Sequence, residues 1–591
     1  MEMHVETNPL LDKLPAHLRQ YIKPQAYEQY TPINQAVWRY VMRKNVNYLS
    51  QVAHESYTSG LKKTGISIDE IPSMYGMNRI LKEIGWAAVA VDGFIPPNAF
   101  MEFQAYKVLV IASDIRQLEN IEYTPAPDII HEGAGHAPII ASPDYAEYLR
   151  RFGEIGARAI SNAHDMNMYE AVRKLSILKE AEGIPDEDVQ AAEDEVNRLQ
   201  EMTVAPSEIA LIRNLHWWTV EYGLIGSVDN PKLYGAGLLS SLGESKHCLT
   251  DAVKKIPYSI DAAYQEFDIT QMQPQLYVTP DFGYLMEVLE EFAETMALRK
   301  GGWRGVQKLI DCKQLGSIEL NTGLQVSGNF SKMIQDEDNN VVYFETTGPS
   351  ALAYRNKELI GLGTSHFRKG FSSPLGKLKR SSVAIERMSP RDLKAFEIYE
   401  GGINSFEFES GITVTGMITT GTRSIDGTLL AVHFDGCEVS YKGEKLISRK
   451  NGPFDMAIGS SIVSAFAGAA DHTSFNMVSH VSSTNTIHQE LSEEDTLLNS
   501  LYKEIRDMRE SNDVKVARLE EIFRQLQANF PKDWLASLEV YELAIPIDAS
   551  FAENIKGYLE AQTKKLPKVA HLITDGLSLY GKPLMHVVKT P

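Results

Sequence analysis

Two histidines and a distant carboxylate are the residues in this chain best suited to chemistry. His131 and His136 lie in the segment YTPAPDIIHEGAGHAP, and Glu221 follows two tryptophans in WWTVEYGL. Two imidazoles and one carboxylate on one face of a metal leave other coordination positions open, as in non-haem Fe(II) enzymes that activate oxygen. The residue types therefore predict a mononuclear iron site and an oxygenase.

The spacing of the two histidines requires an irregular backbone. They are five residues apart, whereas the zinc-protease motif H-E-x-x-H places its histidines four apart on one helical face. A five-residue step rotates by roughly 140° on a regular helix, so the rings would diverge. Gly133 and Gly135 lie between them and permit unusual backbone angles. We expect a helix that is distorted or ends there, with Asp128 accepting the second ring proton of His131.

Several segments together resemble one enzyme family. The segment PDIIHEGAGHAP is similar to the P-D-x-x-H-E-x-x-G-H-x-P signature of the pterin-dependent aromatic amino acid hydroxylases. WWTVEYGLI, YGAGLLSSLGE and QPQLYVTPDF follow in the family's order, and the resemblance covers about residues 25 to 305. These are the phenylalanine, tyrosine and tryptophan hydroxylases, which use a tetrahydropterin as well as iron.

The resemblance implies roles for individual residues. It makes His131, His136 and Glu221 the iron ligands and catalytic residues. It assigns substrate binding to a second set, in which the first three hold the substrate carboxylate and the fourth lines the pocket: Arg116, Thr124, Ser240 and Trp217. An arginine suits a carboxylate because its planar fork can donate two parallel hydrogen bonds.

The same resemblance implies a pterin site. Phe100 matches the ring on which the pterin stacks, the backbone from Gly93 to Ile95 runs along it, and Glu132 is the acidic residue beside it. The candidate contacts of the cofactor are therefore Gly93, Ile95, Phe100 and Glu132.

Several positions depart from the family pattern. Pro97 replaces a serine and Val110 a histidine near the cofactor, so polar contacts to the pterin should be missing. His216 stands where an aromatic residue is usual. Gly133 and Ala134 replace bulkier apolar residues beside the first ligand, a change expected to enlarge or reshape the pocket. His216 could be an extra ligand, although a histidine in LHWWTV is more often an ordinary pocket or core residue.

Three functions are compatible with these residues. The first is an aromatic amino acid monooxygenase that converts phenylalanine to tyrosine with O2, non-haem Fe(II) and a tetrahydropterin. The second is an iron oxygenase of the same fold that acts on another aromatic substrate, for example tryptophan, or without a pterin. The third is a non-catalytic scaffold or binding protein.

Composition points to an intracellular enzyme. The chain has 591 residues and a net charge of −20, which disfavours nucleic acid and anionic membranes as partners. Its 3 cysteines have no paired spacing, which argues against disulfide, zinc-ribbon and iron–sulfur scaffolds. The N-terminus lacks signal-peptide features, and no apolar run approaches the length of a membrane span. We expect a cytoplasmic location.

The pattern of apolar and polar residues changes along the sequence and predicts an α+β multidomain chain. Residues 1–310 form a mainly α catalytic domain of the aromatic amino acid hydroxylase type, with a helical insertion at about 167–206. Residues 315–475 are β-rich, with a hairpin turn predicted at Asp435-Gly436. Residues 485–591 are helical, with one apolar stripe at Leu519, Ile522, Phe523 and Leu526. A homo-oligomer could form through this C-terminal half.

Overall fold

A computed structural model of the chain describes residues 8–91, 95–122, 127–180, 186–202, 204–241, 243–268, 271–475 and 492–580. Helices and strands both make large contributions, which confirms the predicted mixture of α and β structure. Within these residues, no helix has the length and apolar character needed to cross a bilayer.

The region up to Cys312 is mainly helical. Its α-helices are α1 Ala16–Arg19, α2 Pro32–Val52, α3 Ser56–Lys63, α4 Met74–Leu81, α5 Pro97–Ala105, α6 Ala137–Ile139, α7 Pro143–Gly156, α8 Ala163–Glu180, α9 Asp186–Gln200, α10 Glu208–His216, α11 Ala236–Ser240, α12 Glu244–His247, α13 Phe282–Ala293, α14 Ala297–Lys300 and α15 Gly302–Cys312. Two short π-helices, Ile130–His136 and Trp217–Glu221, interrupt this pattern.

Helix α2 is the centre of this region. Thr31 and Asn34 form a reciprocal capping box at its start, and Pro32 occupies the first turn, where its missing N–H is not needed. Most side chains of its 21 residues are buried. A helix that is buried on nearly all sides must be covered by several other elements.

Two small sheets flank these helices. Their strands are β1 Ile22–Lys23, β2 Ala87–Val91, β3 Val108–Ala112, β4 Leu224–Ser227, β5 Asn230–Leu233, β6 Lys254–Pro257 and β7 Gln275–Thr279. The first has the order β1-β2-β3 and the second the order β5-β4-β7-β6. Strands β2 and β3 pair in parallel and every residue in them is buried, as expected of apolar runs in a covered parallel pair.

The predicted insertion at about 167–206 falls on α8 and α9, which pack against each other. The first of these helices begins at Ala163, earlier than predicted. Residues 181–185 and 203 lie outside the described part.

Residues 315–467 form two antiparallel sheets. Their strands are β8 Leu315–Leu320, β9 Leu324–Gln335, β10 Val341–Tyr354, β11 Lys357–Glu358, β12 Ser372–Pro374, β13 Ile403–Glu407, β14 Thr413–Arg423, β15 Leu429–Tyr441, β16 Glu444–Ile447, β17 Phe454–Ala457 and β18 Ile462–Ala467, with helix α16 at Pro390–Ala395. One sheet has the order β11-β10-β9-β8-β18 with β12 beside β10, and the other the order β13-β14-β15-β16 with β17 beside β15.

The prediction of a hairpin turn at Asp435-Gly436 is wrong. Strand β15 continues through these residues, with Phe434 paired to Ile418 and Cys437 paired to Gly416. Two residues therefore oppose one on β14, which is a β-bulge, and Gly436 adopts a φ of 83°. The Asp-Gly pair supplies the left-handed residue that a bulge needs, and the same sequence signal serves a turn.

The C-terminal helices are α17 Glu493–Ser511, α18 Val516–Asn529, α19 Trp534–Ala544, α20 Ala549–Lys565 and α21 Ala570–Tyr580. The predicted stripe of Leu519, Ile522, Phe523 and Leu526 is buried, and it belongs to the same hydrophobic cluster as Tyr40 of α2. Helices α17 to α21 therefore complete the core of the N-terminal helical region. The division into three domains stays a prediction.

An ion-pair network joins α2 to α17 and α19. Arg39 contacts Glu539 at 2.9 Å and Glu542 at 2.5 Å, while Arg43 also contacts Glu542. Arg509 of α17 contacts Glu539 as well. Because Arg39 and Glu539 are each about 3% exposed, their charges depend on one another.

Candidate metal centre and pocket

The three predicted ligands converge. Nε2 of His131 lies 3.2 Å from Nε2 of His136 and 3.2 Å from Oε2 of Glu221, and Nε2 of His136 lies 3.3 Å from Oε1 of Glu221. These atoms are close enough to share one metal ion. Two imidazole nitrogens and a carboxylate are a donor set suited to iron.

The two π-helices explain how residues with this spacing meet. The backbone N–H of Ala137 donates to the carbonyl of Glu132, and that of Tyr222 donates to Trp217 at 2.8 Å, both across five residues. Such i→i+5 bonds bring residues five apart onto one face, so His131 and His136 can point together. The distortion expected between the histidines is therefore present.

Gly135 lets a second element approach the first π-helix. A Cβ built on this residue would lie 2.6 Å from the carbonyl oxygen of Ala236 in α11, too close for any other residue. This contact brings α11, and with it Ser240, beside the ligands.

The ring of His131 is oriented by Ser240. The hydroxyl of Ser240 donates to the Ala236 carbonyl at 2.8 Å and lies 3.1 Å from Nδ1 of His131. A hydroxyl that donates in one direction accepts in the other, so we assign the proton of His131 to Nδ1 and its free lone pair to Nε2. Nε2 is the atom that faces His136 and Glu221.

Asp128 does not take the predicted role of partner to the His131 ring. One carboxylate oxygen accepts the backbone N–H of His131 at 3.0 Å, while both oxygens bind Arg116 at 2.7 and 2.8 Å. The Arg116 guanidinium beside it lowers the pKa of this carboxyl against the opposing effect of its burial. The aspartate fixes the start of the π-helix and the arginine, not the ring.

Arg116 keeps part of its hydrogen-bonding capacity. Nε and Nη2 each donate to Asp128, and Nη1 approaches the Ile121 carbonyl at 3.5 Å. A guanidinium has five N–H groups, so one on Nη1 and one on Nη2 are left for a ligand. The side chain is almost buried, yet it borders the cavity described next.

A cavity of about 430 Å³ opens in front of the ligands. Its wall contains Val91, Ile95, Pro97, Phe100, Met101, Val110, Ala112, Arg116, Glu122, Pro127, His131, Glu132, Arg213, His216, Trp217, Glu221, Tyr222, Gly237, Ser240, Ser241, Glu244 and Phe267. Of the residues predicted to bind substrate or pterin, Gly93 and Thr124 lie outside the described residues. The others, Ile95, Phe100, Arg116, Glu132, Trp217 and Ser240, all border this cavity.

Trp217 is held by stacking. Its ring lies 4.2 Å from that of Phe267 at an interplanar angle of 8°, and 4.6 Å from that of Tyr222. Its Nε1 is buried and has no hydrogen-bond partner among the residues that the structure describes. A donor left in this state is costly, so a ligand that accepts from it would be stabilised.

The departures from the family pattern fall in different places. Pro97 and Val110 both border the cavity, which makes that wall apolar where the family has polar groups. A Cβ on Gly133 would instead contact Trp38 and Ile66 in the core. The expectation that Gly133 reshapes the pocket is therefore wrong, because this residue faces away from it.

His216 packs between aromatic rings rather than on the ligand triangle. Its ring centroid lies 5.7 Å from Phe100 and 5.4 Å from Phe152, and its Nδ1 lies 3.6 Å from Oε1 of Glu221. Burial lowers the pKa of His216 to about 4, so the ring is neutral at neutral pH. His216 therefore occupies the place of an aromatic residue and makes the ring contacts that such a residue would make.

The pKa values of Glu132 and Glu221 are shifted in opposite directions. Desolvation raises the pKa of Glu132 to about 8. Glu221 is also desolvated, but His136 and His131 beside it hold its pKa well below the usual range. Glu221 is therefore the anionic group of the pair, as a metal ligand must be.

Sequence reasoning overlooked a polar pair on the cavity wall. Tyr222 donates from its hydroxyl to Oε2 of Glu244 at 2.8 Å, and burial raises the pKa of that glutamate. Glu244 is the last residue of the segment YGAGLLSSLGE, and its position in this family motif could have identified it as a candidate site residue. Phe267, which stacks on Trp217, lies outside every quoted segment and had no such signal.

One family model matches the N-terminal part of the chain. The family model for biopterin-dependent aromatic amino acid hydroxylases matches residues 17–173 and 186–300, leaving out 174–185. This match covers less than half of the chain, and within it the chain is similar to that family, in agreement with the resemblance seen in the sequence.

The alignments of this chain with named relatives cover different shares of those relatives' lengths. A phenylalanine-4-hydroxylase of Dictyostelium discoideum is 33% identical over 233 residues, which are 39% of this chain and 43% of that protein. One from Chromobacterium violaceum is 25% identical over 276 residues, 44% of this chain and 78% of that protein. A crystal structure of the Chromobacterium enzyme with Fe(III) aligns with a TM-score of 0.38 at 22% identity, over 49% of this chain and 92% of that one.

Proposed function

We propose that residues 17–300 hydroxylate the aromatic ring of phenylalanine to give tyrosine, using O2, Fe(II) and a tetrahydropterin. The observation that carries the proposal is the convergence of His131, His136 and Glu221 at the wall of a cavity lined by Phe100 and Trp217. The match to the family model for biopterin-dependent aromatic amino acid hydroxylases and the similarity to proteins named phenylalanine-4-hydroxylase support it.

The residues fit an iron ion and the resident pterin. His131, His136 and Glu221 would hold the metal, with Glu221 as the anionic ligand. Ile95, Phe100 and Glu132 would contact the pterin, with Gly93 as a further predicted contact. When bound, iron and the pterin together supply the activation of oxygen.

The protein's own part is positioning. Arg116 is fixed by Asp128 and would bind the substrate carboxylate through its two remaining N–H groups, together with the predicted contact Thr124. Trp217 would orient the aromatic ring, and Ser240 keeps His131 in the tautomer that ligates. Fixing the ring and the metal in one cavity is how an enzyme lowers the entropic cost of the reaction.

The apolar wall at Pro97 and Val110 favours a second candidate: the same oxygenase chemistry on another aromatic substrate, such as tryptophan, or without a pterin. Both candidates use the same three ligands. They differ in substrate and in the source of electrons.

The experiment is an anaerobic reconstitution of the full chain with Fe(II). Oxygen, a tetrahydropterin and equimolar phenylalanine, tyrosine and tryptophan are then added, and products are identified by mass spectrometry. One added oxygen on phenylalanine, dependent on the pterin, is expected. Product from tryptophan, or product without pterin, would favour the second candidate.

Matched variants connect the result to the site. Glu221→Gln removes the anionic ligand and is expected to abolish both iron retention and product. Glu294→Gln, at a glutamate that is 70% exposed, should behave as wild type. Unimpaired turnover in Glu221→Gln would overturn the ligand assignment.

A further inference from the structure

A second cluster of two histidines and one glutamate lies outside the catalytic pocket. His17 is in α1, Glu102 is in α5, and His472 is in a 3₁₀ turn after β18. Nε2 of His17 lies 2.8 Å from Oε2 of Glu102, and Nε2 of His472 lies 3.4 Å from Oε1. These three ligand atoms all lie within 4.8 Å of one another.

We propose that His17, Glu102 and His472 bind a second metal ion, a divalent transition ion of which zinc is the best match. Two imidazoles and one carboxylate suit zinc and its neighbours rather than Mg²⁺ or Ca²⁺, which prefer oxygen ligands. Three protein ligands leave a fourth position for water or another small ligand. This site is separate from the proposed function and does not rest on it.

The side chains are sufficiently enclosed to form a site. Those of His17 and Glu102 are 11% and 13% exposed, and that of His472 is 34% exposed. The two imidazole rings stack with centroids 4.7 Å apart, so both edges approach the same carboxylate. Oε1 of Glu102 is buried and has no hydrogen bond from any residue in the described ranges. A shared cation would satisfy this oxygen.

A second explanation for the geometry is a proton on one imidazole, which would make the cluster a simple ion pair. The two explanations differ in whether the cluster takes up a metal.

The location gives the ion a structural consequence. The cluster borders a cavity of about 660 Å³ whose walls come from α5, α7 and the end of the β-rich region at Phe466–Ala469. Phe100, on the same helix as Glu102, faces the catalytic cavity instead. A metal here would tie the β-rich region to the helix that carries the proposed pterin contact.

The test counts metal on the full chain. A His136→Ala variant removes the catalytic cluster, is stripped with a chelator, and is titrated with Zn²⁺ by calorimetry. We expect one tight equivalent, which should disappear in His136→Ala/Glu102→Gln and in His136→Ala/His472→Gln. His571→Gln in the same background is the control, because His571 is exposed and pairs with one carboxylate only.

A spectroscopic measurement separates ligation from nonspecific binding. Co²⁺ substituted in the His136→Ala chain should give visible ligand-field absorption that Glu102→Gln removes, and Zn²⁺ should raise Tm only where Glu102 and His472 are intact. Circular dichroism checks folding, and His17→Gln replaces any variant that fails to fold. No bound Zn²⁺ in His136→Ala, or binding unaffected by Glu102→Gln, would overturn the proposal in favour of the ion pair.

Discussion

The hydroxyl of Ser240 lies 3.1 Å from Nδ1 of His131, although 109 residues separate the two in the sequence. This contact fixes which nitrogen of the proposed iron ligand carries its proton. It depends on α11 packing closely against the first π-helix at Gly135.

We therefore expect Ser240→Ala to weaken iron binding about 10- to 100-fold, since partners that orient a metal-bound histidine contribute about that much. Equilibrium dialysis with Fe(II) under anaerobic conditions measures the effect. Ser241→Ala is the matched control, because Ser241 borders the same cavity but accepts the backbone N–H of Glu244 instead. Equal losses in the two variants would contradict an orienting role.

Asp128→Asn should destabilise the folded state. The substitution leaves the buried Arg116 without its anionic partner, and breaking such a pair costs about 3–5 kcal/mol in the free energy of unfolding. Urea denaturation followed by circular dichroism gives the value. The exposed pair of Arg355 and Asp426 provides the comparison, and Asp426→Asn should cost less than about 1 kcal/mol.

His216→Phe should leave iron binding intact. A phenylalanine keeps the ring contacts with Phe100 and Phe152 and removes the buried Nε2, which has no partner among the described residues. We expect unchanged or slightly higher Tm and an iron affinity within about threefold of wild type. A large loss of Fe(II) in dialysis would instead identify His216 as a ligand.

Acid should weaken the attachment of the C-terminal helices. Glu542 is desolvated, but Arg39, Arg43 and Arg509 outweigh burial and lower its pKa below the ordinary value of 4.5. A lowered pKa means that the stabilisation is complete above pH 4.5 and is lost as pH falls toward the folded-state pKa.

Glu542→Gln should thus reduce the free energy of unfolding by about 3 kcal/mol at pH 7, and the difference from wild type should shrink below pH 4.5. Denaturation across pH 3–8 measures both. Glu553→Gln, at a residue 75% exposed, should show neither effect. A difference that stays constant with pH would mean that charge is not the cause.

The local chemistry of the site could be predicted from the sequence, whereas contacts between distant segments could not. His131, His136 and Glu221 are found together because residue type, order and an irregular helix all follow from short segments. The pairing of Asp128 with Arg116 was not predicted, because the imidazole of His131 is nearer to Asp128 in the sequence. The bulge at Gly436 was read as a turn because both need a positive φ at glycine. The shared core of α2 and the C-terminal helices joins residues more than 450 positions apart, and no local pattern specifies it.

The burial of α2 by α17, α19 and α21 has a consequence for biosynthesis. Tyr40 donates its hydroxyl hydrogen to the carbonyl of Leu572, and its ring packs against Trp534. Ribosomes add residues from the N-terminus, so the segment that the family model matches emerges with this surface still uncovered. Helix α2 can therefore reach its final packing only after the residues up to Tyr580 have been translated.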